Sequence, residues 1–509
     1  MTDYQSIGEF VLAEQSEGQV TLVIDKNRKS DLLVQRWAMD QRQQWPEATT
    51  VFVPLSELKL RRSGNHGMLS QFVTAGEISP WSEVQNRMVS YLTLAQSMAA
   101  SDIHITVMRS AGLAIIQMRL HGELEVIDEL TAVEGDALIS TLFMSMCDVR
   151  IPPAFDDSDV QAGRVDARFA RAAGLFGARY QHMPTVDGVY VVLRTIVDDS
   201  DRVPSPETLG FLPEQIDGVH QILRQPQGAV LLTGPTGSGK STTLRVFSNL
   251  WLARTRCRRR LLTVENPPEG RIADAIQTPV TDGDWGKSNA AMLRSDPDAI
   301  LIGELQDLDA LMAAIYAAHT GHIVLATLHT NSAAGSLPRM EIMGADRRLL
   351  ADAQLIIGLI SQRLLPVLCA HCSLSWADKA PTLSLQTRDY LEKYCTVAGM
   401  CVPAQLRFHN PEGCERCRRV VSLTGRVVSR GITGRTAVAE IIRPDARFMA
   451  LWREYGTAVA RQYWLNAGGV SRRSHLLYHL GQGRVDPLMG DEIVPLDEDE
   501  LLYCEVPHV

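Results

Sequence analysis

The sequence predicts an α/β protein built around a phosphate-binding loop, and three features support this prediction. An apolar run, Ala229 to Leu232, is typical of a short buried strand, and a glycine-rich stretch and a helix-forming segment follow it directly. Further apolar strands alternate with helical segments, as in a parallel sheet. Each of these strands ends in polar residues, at the edge where parallel sheets bind their ligands.

The glycine-rich stretch has the spacing of a P-loop: Gly234 is followed after four residues by Gly239, Lys240 and Ser241. Glycines let the backbone N–H groups turn toward phosphate oxygens, and the helix N-terminus adds its positive end. Lys240 adds a charge, and Ser241 offers a hydroxyl to Mg²⁺. A plain glycine turn is the alternative. The predicted nucleotide-binding residues are Gly234, Pro235, Thr236, Gly237, Ser238, Gly239, Lys240, Ser241 and Thr242.

Length and charge limit the possible classes of protein. A chain of 509 residues is long enough for two to four domains. Its net charge of -9 argues against nucleic acid as the main partner, although a local basic patch remains compatible with it. We find neither a signal peptide nor an apolar run of transmembrane length, so we expect membrane contact only through a partner. Nine cysteines fit a reducing cytoplasm.

Composition shifts predict three domains. Residues 1–85 form a small N-terminal domain, for which recruitment and a solvated cap are both open, and the turn-rich segment 58–67 is a plausible linker. Residues 86–200 form an α+β domain. The acidic, proline-containing segment 197–207 is typical of a hinge, and 201–509 form the nucleotide domain.

Four local predictions concern helices and the C-terminal end. We expect helices over residues 89–100 and around 135–146. The stretch from Gly434 to about Arg484 is expected to be helical. The acidic end, Asp491 to Glu505, is expected to be a solvated tail.

Three polar residues follow buried strands and are candidates for the chemistry of phosphoryl transfer. Glu304 is the best candidate to orient or activate an attacking water, with a structural carboxylate at a helix N-terminus as the alternative. Glu265 could support the Mg²⁺ shell or polarise the nucleophile. His329 could sense the γ-phosphate or contact a neighbouring subunit, although a single histidine is more often structural.

Two C-x2-C pairs, separated by 41 residues, predict a structural zinc module over residues 369–417. Paired thiolates on two tight turns complete a tetrahedral shell with no open position. The long gap weakens the zinc prediction; Cys395 and Cys401 lie inside it and could replace a ligand. Four separate buried thiols are the alternative. The predicted zinc ligands are Cys369, Cys372, Cys414 and Cys417.

Eight ordered motifs resemble those of the secretion ATPases of type II secretion and type IV pilus assembly, over about residues 95–490. They are ASDIHIT (100–106), RLHG (119–122), GPTGSGKSTTL (234–244), TVENPPE (263–269), LRSDPDAILIGELQD (293–307), TGHIVLATLHTN (320–331), ISQRLLPVLC (360–369) and GRTAVAEI (434–441). Eight motifs in one order are far more specific than any one of them.

The resemblance implies a RecA-like P-loop core preceded by a PAS-like domain, assembled as a cytoplasmic homo-hexamer with ATP, Mg²⁺ and Zn²⁺. It implies that ATP hydrolysis drives assembly of a type IV pilus or a type II secretion pseudopilus. The hexamer would act peripherally at the bacterial inner membrane, through a platform or docking protein. A pilus retraction motor, a DNA-transfer motor of a conjugative system and a non-hydrolysing, nucleotide-gated scaffold are the alternatives.

The resemblance also assigns roles to single residues. Glu265 matches the acidic-box glutamate, Glu304 the Walker B glutamate and His329 the histidine box. Arginines of the preceding domain reach the nucleotide across the domain interface in this family. Arg179 and Arg194 match them best, with Arg164 less certain.

Two residues depart from the family pattern. Asn266 replaces the usual aspartate of the acidic box, and Gln306 replaces the usual arginine after the Walker B glutamate. With the long cysteine gap, these departures suggest a divergent branch, such as type IVb pili. The tetracysteine motif favours assembly over retraction, because retraction ATPases usually lack it.

Overall fold

The computed structural model describes residues 10–16, 19–25, 28, 32–45, 48–53, 58, 81–148, 154–198, 203–280 and 285–507. The chain divides into two compact units, Met1–Ser82 and Glu83–Val509. The further division of the second unit at residue 200 stays a prediction. Among the described residues, no helix is both long and apolar enough to cross a membrane.

The first unit is a three-stranded sheet with one helix. Its elements are β1 (Val11–Ser16), β2 (Gln19–Asp25), α1 (Leu32–Gln44) and β3 (Thr49–Val53). Strand β2 is central; it pairs antiparallel with β1 and parallel with β3. Val34 and Trp37 of α1 pack against Leu22 and Ile24 of β2. Most of the predicted linker 58–67 lies outside the described residues, but Leu58 is buried in a small cluster with two strand residues.

The second unit begins with a helix and a seven-stranded antiparallel sheet. The bounds are α2 (Glu83–Ser97), β4 (Asp102–Met108), β5 (Leu113–Leu120), β6 (Glu123–Thr131), α3 (Ala132–Thr141), β7 (Cys147–Asp148), β8 (Gln161–Val165), α4 (Ala167–Ala172), β9 (Leu175–Thr185) and β10 (Gly188–Val197). The strand order is β6-β5-β4-β10-β9-β8-β7. Strand β5 alternates buried and partly exposed residues, as a sheet with one covered face requires.

Both helices expected in this region are present with shifted bounds. Helix α2 begins six residues before the predicted start, because its polar first turn hides the apolar periodicity. Helix α3 begins at Ala132, where Thr131 and Glu134 form a capping box. A π-helical turn, Leu142–Met146, continues it to the predicted end.

A second seven-stranded sheet, mainly parallel, follows. Its strands and their helices are α5 (Pro206–Leu209), α6 (Pro213–Leu223), β11 (Gly228–Thr233), α7 (Lys240–Arg254), β12 (Leu261–Glu265), β13 (Ala275–Pro279), α8 (Trp285–Leu293), β14 (Ala299–Ile302), α9 (Leu308–His319), β15 (Ile323–Leu328), α10 (Ser336–Ile342), α11 (Arg347–Leu350), β16 (Ile356–Leu368) and β21 (Ile432–Ile442). The order is β13-β12-β14-β15-β11-β16-β21. Every residue of β11, β12, β14 and β15 is buried, and one apolar cluster covers each face. The α/β prediction is confirmed.

The predicted helix over Gly434 to Arg484 is wrong in its first part. Residues 434–441 lie in strand β21, which pairs antiparallel with β16. The run Ala437–Ala439 is buried within the sheet, so tertiary pairing decides its conformation. The helices after it are α14 (Ala446–Tyr455), α15 (Thr457–Asn466) and α16 (Arg472–Gly481).

The prediction of a solvated acidic tail is wrong for residues 491–499, whereas Leu501 to Tyr503 and Glu505 are exposed. Helices α17 (Pro487–Ile493) and α18 (Glu498–Leu501) fold back onto the unit, and Val494 and Leu496 are buried. Glu498 pairs with buried Arg472, and Asp499 pairs with buried Arg461. Glu498 and Asp499 are therefore counter-charges for arginines that lie earlier in the chain.

The segment between β16 and β21 forms a small module. Its elements are β17 (Leu374–Ser375), α12 (Trp376–Lys379), α13 (Leu385–Cys395), β18 (Arg407–Phe408), β19 (Arg419–Val420) and β20 (Val427–Val428). The β19–β20 hairpin contacts strand β6 of the antiparallel sheet. Thr424 donates to the Ile127 carbonyl at 2.8 Å, Arg426 pairs with Glu129, and the Ser429 amide donates to Glu125.

The folded acidic end generates a first prediction. Deleting residues 494–509 removes two buried apolar side chains and leaves Arg461 and Arg472 without these carboxylates. We expect the free energy of unfolding to fall by about 3 kcal/mol or more, measured by urea denaturation. Deleting only residues 504–509 is the control. Equal stability of the two truncated chains would contradict the folded end.

The buried histidines of α16 generate a second prediction. The His475 ring links two backbone segments, since its Nδ1 accepts a hydrogen bond from the Ala439 amide and its Nε2 donates one to the Gly210 carbonyl. One accepting and one donating nitrogen correspond to a neutral tautomer. Burial lowers the pKa of His475 to about 4 and that of stacked His479 to about 3.

Since both folded pKa values lie below the unfolded value of about 6.5, the unfolded chain binds more protons in acid. Stability should therefore fall as the pH drops from 6.5 toward 4, by about 1.4 kcal/mol per pH unit for each histidine. Urea denaturation of wild type and His475→Gln at several pH values tests this slope. An unchanged slope in the variant would contradict the assignment of part of the pH dependence to His475.

Candidate functional site

A cleft of about 710 Å³ lies between the carboxyl edge of the parallel sheet and the antiparallel sheet. The parallel sheet contributes the loop from Thr236 to Thr242 and the three candidate residues at strand ends. The antiparallel sheet contributes Asp102 and three arginines. The cleft is lined by residues that include Asp102, Arg119, Arg179, Arg194, Thr236 to Thr242, Glu265, Asn266, Glu269, Glu304, Gln306, His329 and Arg435.

The P-loop joins β11 to α7, and helix α7 begins at Lys240. Gly234 has φ +150°, and a Cβ there would lie 2.5 Å from the Gln362 carbonyl oxygen, so the position requires glycine. Lys240 Nζ donates to the carbonyls of Gly234 at 2.8 Å and Pro235 at 3.0 Å. Burial lowers the pKa of Lys240, and the nearby Glu304 and Glu269 carboxylates oppose that shift. Two carbonyls of the loop thus bind the ammonium group of the lysine that follows it.

Gln362 of β16 stabilises the P-loop through side-chain hydrogen bonds, a role that the sequence prediction missed. Its amide nitrogen donates to the Ser238 carbonyl at 2.7 Å, and its amide oxygen accepts from Thr243 Oγ1 at 2.9 Å. The side chain is buried. One buried amide therefore fixes both the loop and the first turn of α7. Its place in the ISQRLLPVLC motif was the available signal.

The structure brings two of the three candidate residues at strand ends into direct contact. His329 Nε2 lies 3.0 Å from Glu304 Oε1. Gln306 donates to the other oxygen of Glu304 at 2.9 Å, so the residue that replaces the family arginine supplies a neutral donor. The Glu304 carboxylate is one-third exposed and faces the cleft. It is placed to accept a proton or to orient a small polar molecule.

Glu265 is held separately at the end of the neighbouring strand. Its Oε1 accepts from Thr263 at 2.7 Å and from Gln277 at 3.1 Å, and the side chain is almost fully buried. Both interactions fix the carboxylate at the edge of the cleft. Asn266 contributes its backbone carbonyl, which accepts from Arg179 at 3.0 Å.

Five charged residues form one transverse row across the antiparallel sheet. In register, Arg164 faces Arg179, Arg179 faces Arg194, Arg194 faces Asp102, and Asp102 faces Arg119. Like charges directly opposite each other destabilise a sheet. Asp102 compensates in part, since it lies 3.0 Å from Arg194 Nε and 3.9 Å from Arg119 Nε. The row therefore favours an anion in the cleft.

Arg179 and Arg164 of the row differ in their surroundings. Arg179 reaches the parallel sheet, where NH1 lies 3.3 Å from Glu269. Arg164 lines an adjoining cavity, which it shares with Arg179 and Arg194. The sequence prediction missed Asp102, Arg119, Glu269 and Arg435. Three of these lie in the ASDIHIT, RLHG and TVENPPE motifs, and Arg435 lies in GRTAVAEI, so their signal was their place in a motif.

The four predicted zinc ligands form one cluster. Their Sγ atoms all lie within 4.8 Å of one another, and the separations are 3.8 Å for Cys369–Cys414, 3.7 Å for Cys372–Cys417 and 3.8 Å for Cys414–Cys417. Tetrahedral bonds of about 2.3 Å place sulfur atoms about 3.8 Å apart. The backbone amides of Cys414 and Gly431 also donate to Cys417 Sγ. This donor set fits a tetrahedral metal ion.

Cys395 and Cys401 lie outside this cluster, so the alternative that either replaces a ligand is wrong. Both are buried in the apolar cluster beneath α16, together with Leu391, Leu406 and Leu476. The long gap between the two C-x2-C pairs is therefore filled by a folded segment that has its own core.

Comparison with known proteins identifies relatives of the chain. The family model described as "Type II/IV secretion system protein" matches residues 79–483. The type II secretion system protein E of Aeromonas hydrophila is 33% identical over 353 residues, which cover 68% of this chain and 62% of the relative. The type II secretion system ATPase E of Vibrio cholerae serotype O1 is 29% identical over 392 residues, or 75% of this chain and 70% of that protein.

A solved structure shares the fold. The pilus retraction motor PilT with bound ADP superimposes with a TM-score of 0.51 and 23% identity, covering 80% of this chain and 96% of PilT. At this identity the likeness concerns the fold alone.

Proposed function

Because this chain belongs to the type II/IV secretion system protein family, we propose that it is an ATPase. The cleft between the two sheets would bind ATP, with the triphosphate between the P-loop and the arginine row. The arginine row is the observation that carries this proposal, because a multivalent anion opposite three arginines in register would offset their mutual repulsion.

Each candidate residue then has a role. Lys240 and the loop amides would hold the β- and γ-phosphates, and Ser241 would hold Mg²⁺. Glu304 would orient the attacking water, with His329 fixing one carboxylate oxygen. Glu265 would contribute to the Mg²⁺ shell. Arg179 and Arg194 would stabilise the charge that develops on the transferred phosphoryl group.

We assign the domains accordingly. Residues 1–85 would be a recruitment domain, 86–200 a PAS-like domain and 201–509 a RecA-like core that includes the cysteine module 369–417. The sheet bounds support this division, since β10 ends at Val197 and the next described helix begins at Pro206. The hinge would let the two sheets close on ATP and separate after hydrolysis.

The proposed task is assembly of a type IV pilus or a type II secretion pseudopilus. A cytoplasmic homo-hexamer would be coupled to an inner-membrane platform or docking protein. The Aeromonas and Vibrio relatives, which are type II secretion proteins, support this choice. Retraction remains the second candidate, because the fold is also that of a retraction motor; the cysteine cluster argues for assembly.

The cysteine cluster would hold a structural Zn²⁺. The near-tetrahedral sulfur positions and the amide bonds to Cys417 support this assignment. A bound ion would supply cross-linking of two distant chain segments, and the four thiolates leave no open position for catalysis.

The Glu304→Gln variant tests the catalytic role. We expect ATP turnover to fall about 100-fold or more, while ATP affinity stays close to that of wild type, because the amide keeps the shape and loses the proton-accepting charge. Phosphate release and binding of a fluorescent ATP analogue measure the two effects. Glu341→Gln is the control, because the partly exposed Glu341 carboxylate does not line the cleft. Full turnover in Glu304→Gln would exclude this role for Glu304.

Metal analysis tests the cysteine cluster. We expect about one zinc per chain in the wild type, and a large loss of zinc and of thermal stability in Cys414→Ser, because structural zinc contributes directly to folding. Cys395→Ser should retain the metal, since that thiol lies in the apolar cluster. Equal zinc content in all three proteins would contradict the assignment.

A further inference from the structure

Two arginines donate hydrogen bonds to the loop that carries His329. It follows β15, and the backbone carbonyl of Asn331 accepts hydrogen bonds from Arg363 at 2.9 Å and from Arg472 at 2.5 Å. Both guanidinium groups therefore converge on one oxygen, two residues after His329. Burial, together with the neighbouring charge of Arg472, lowers the pKa of Arg363 to about 10.

Arg472 is itself fixed in orientation. Its side chain is 7% exposed; NH1 also donates to Ser361 Oγ at 3.2 Å, and NH2 pairs with Glu498. Within the described part of the chain, Arg472 Nε and Glu498 Oε2 have no hydrogen-bond partner. The planar guanidinium thus uses its two outer nitrogens to join the C-terminal helix α18 to the loop, which a lysine could not reproduce.

We propose that Arg472, oriented by Glu498, is a positioning residue for the ATPase site, acting through the Asn331 carbonyl on the loop that presents His329 to Glu304. This inference rests on the proposed ATPase function. The contacts form one continuous path, from Glu498 to Arg472, to the loop, and to the Glu304 carboxylate. A shift of about 1 Å at a reacting group costs up to about 100-fold in rate, so small displacements of the loop matter.

The same helix provides a matched control. Asp499, the neighbour of Glu498, pairs with Arg461 at 3.0 Å and accepts from Ser471 at 2.6 Å. Neither partner contacts the His329 loop through a bond described here. Asp499→Asn therefore changes an anchor of α18 but removes none of the hydrogen bonds that join Glu498, Arg472 and Asn331.

The experiment compares Arg472→Lys, Glu498→Gln and Asp499→Asn with wild type as full-length protein. We expect Arg472→Lys to lower kcat about tenfold or more and to leave the KM for ATP within about twofold. Hydrogen exchange of the amides of residues 328–335 should become faster. Glu498→Gln keeps an acceptor for Arg472 and should show the same pattern to a smaller extent. Asp499→Asn should leave kcat and loop exchange unchanged.

Three outcomes would overturn the inference. Asp499→Asn could lower kcat as much as Arg472→Lys, which would show a general anchoring role. Loop exchange could be the same in all four proteins. Arg472→Lys could exchange faster in the loop yet turn over ATP at the wild-type rate. If wild type itself hydrolyses no ATP, the proposed function fails; the inference about the ATPase site then fails with it, while the exchange comparison alone shows whether Arg472 orders the loop.

Discussion

Repulsion within the arginine row is the constraint on which the arrangement of the two sheets depends. Arg164, Arg179 and Arg194 stand side by side on neighbouring strands, at a spacing of about 5 Å. Asp102 compensates only one end of the row. The carboxylate of Glu269 and the carbonyl of Asn266, both on the parallel sheet, meet the middle of the row. The positive charge of the antiparallel sheet is therefore compensated in part by groups at the edge of the parallel sheet.

Local signals predicted most of the candidate site residues. Contacts between segments that are distant in the sequence account for most of what the sequence prediction missed. The P-loop, Glu304 and the cysteine pairs are spacing patterns that a single segment contains. Gln362 acts 124 residues from Ser238, and the contact joins two segments whose proximity no spacing reveals. The sequence predicts helix from Gly434 onward because the apolar run of strand β21, Ala437–Ala439, is short. Only pairing with β16 makes it a strand.

The acidic C-terminal segment shows that composition alone does not predict whether charged residues are solvated or buried. A run rich in aspartate and glutamate is usually solvated, since burial of an unpaired charge is costly. Here Arg461 and Arg472 precede the run by fewer than 40 residues and were already buried against the sheet. Two carboxylates then become the least costly way to neutralise them. Charge in a terminal segment has to be judged against buried opposite charge elsewhere in the chain, which the sequence does not locate.

The β19–β20 hairpin determines how the cysteine module contacts the antiparallel sheet. It follows the second cysteine pair in the chain and contacts the edge strand β6. Strand β6 lies two strands from β4, which carries Asp102 of the arginine row. The hairpin thus connects the tetracysteine module to the antiparallel sheet that lines the cleft. A displacement of the cysteine cluster would therefore reach the sheet that carries the arginine row through the hairpin, whereas the P-loop is held by Gln362 on the other sheet.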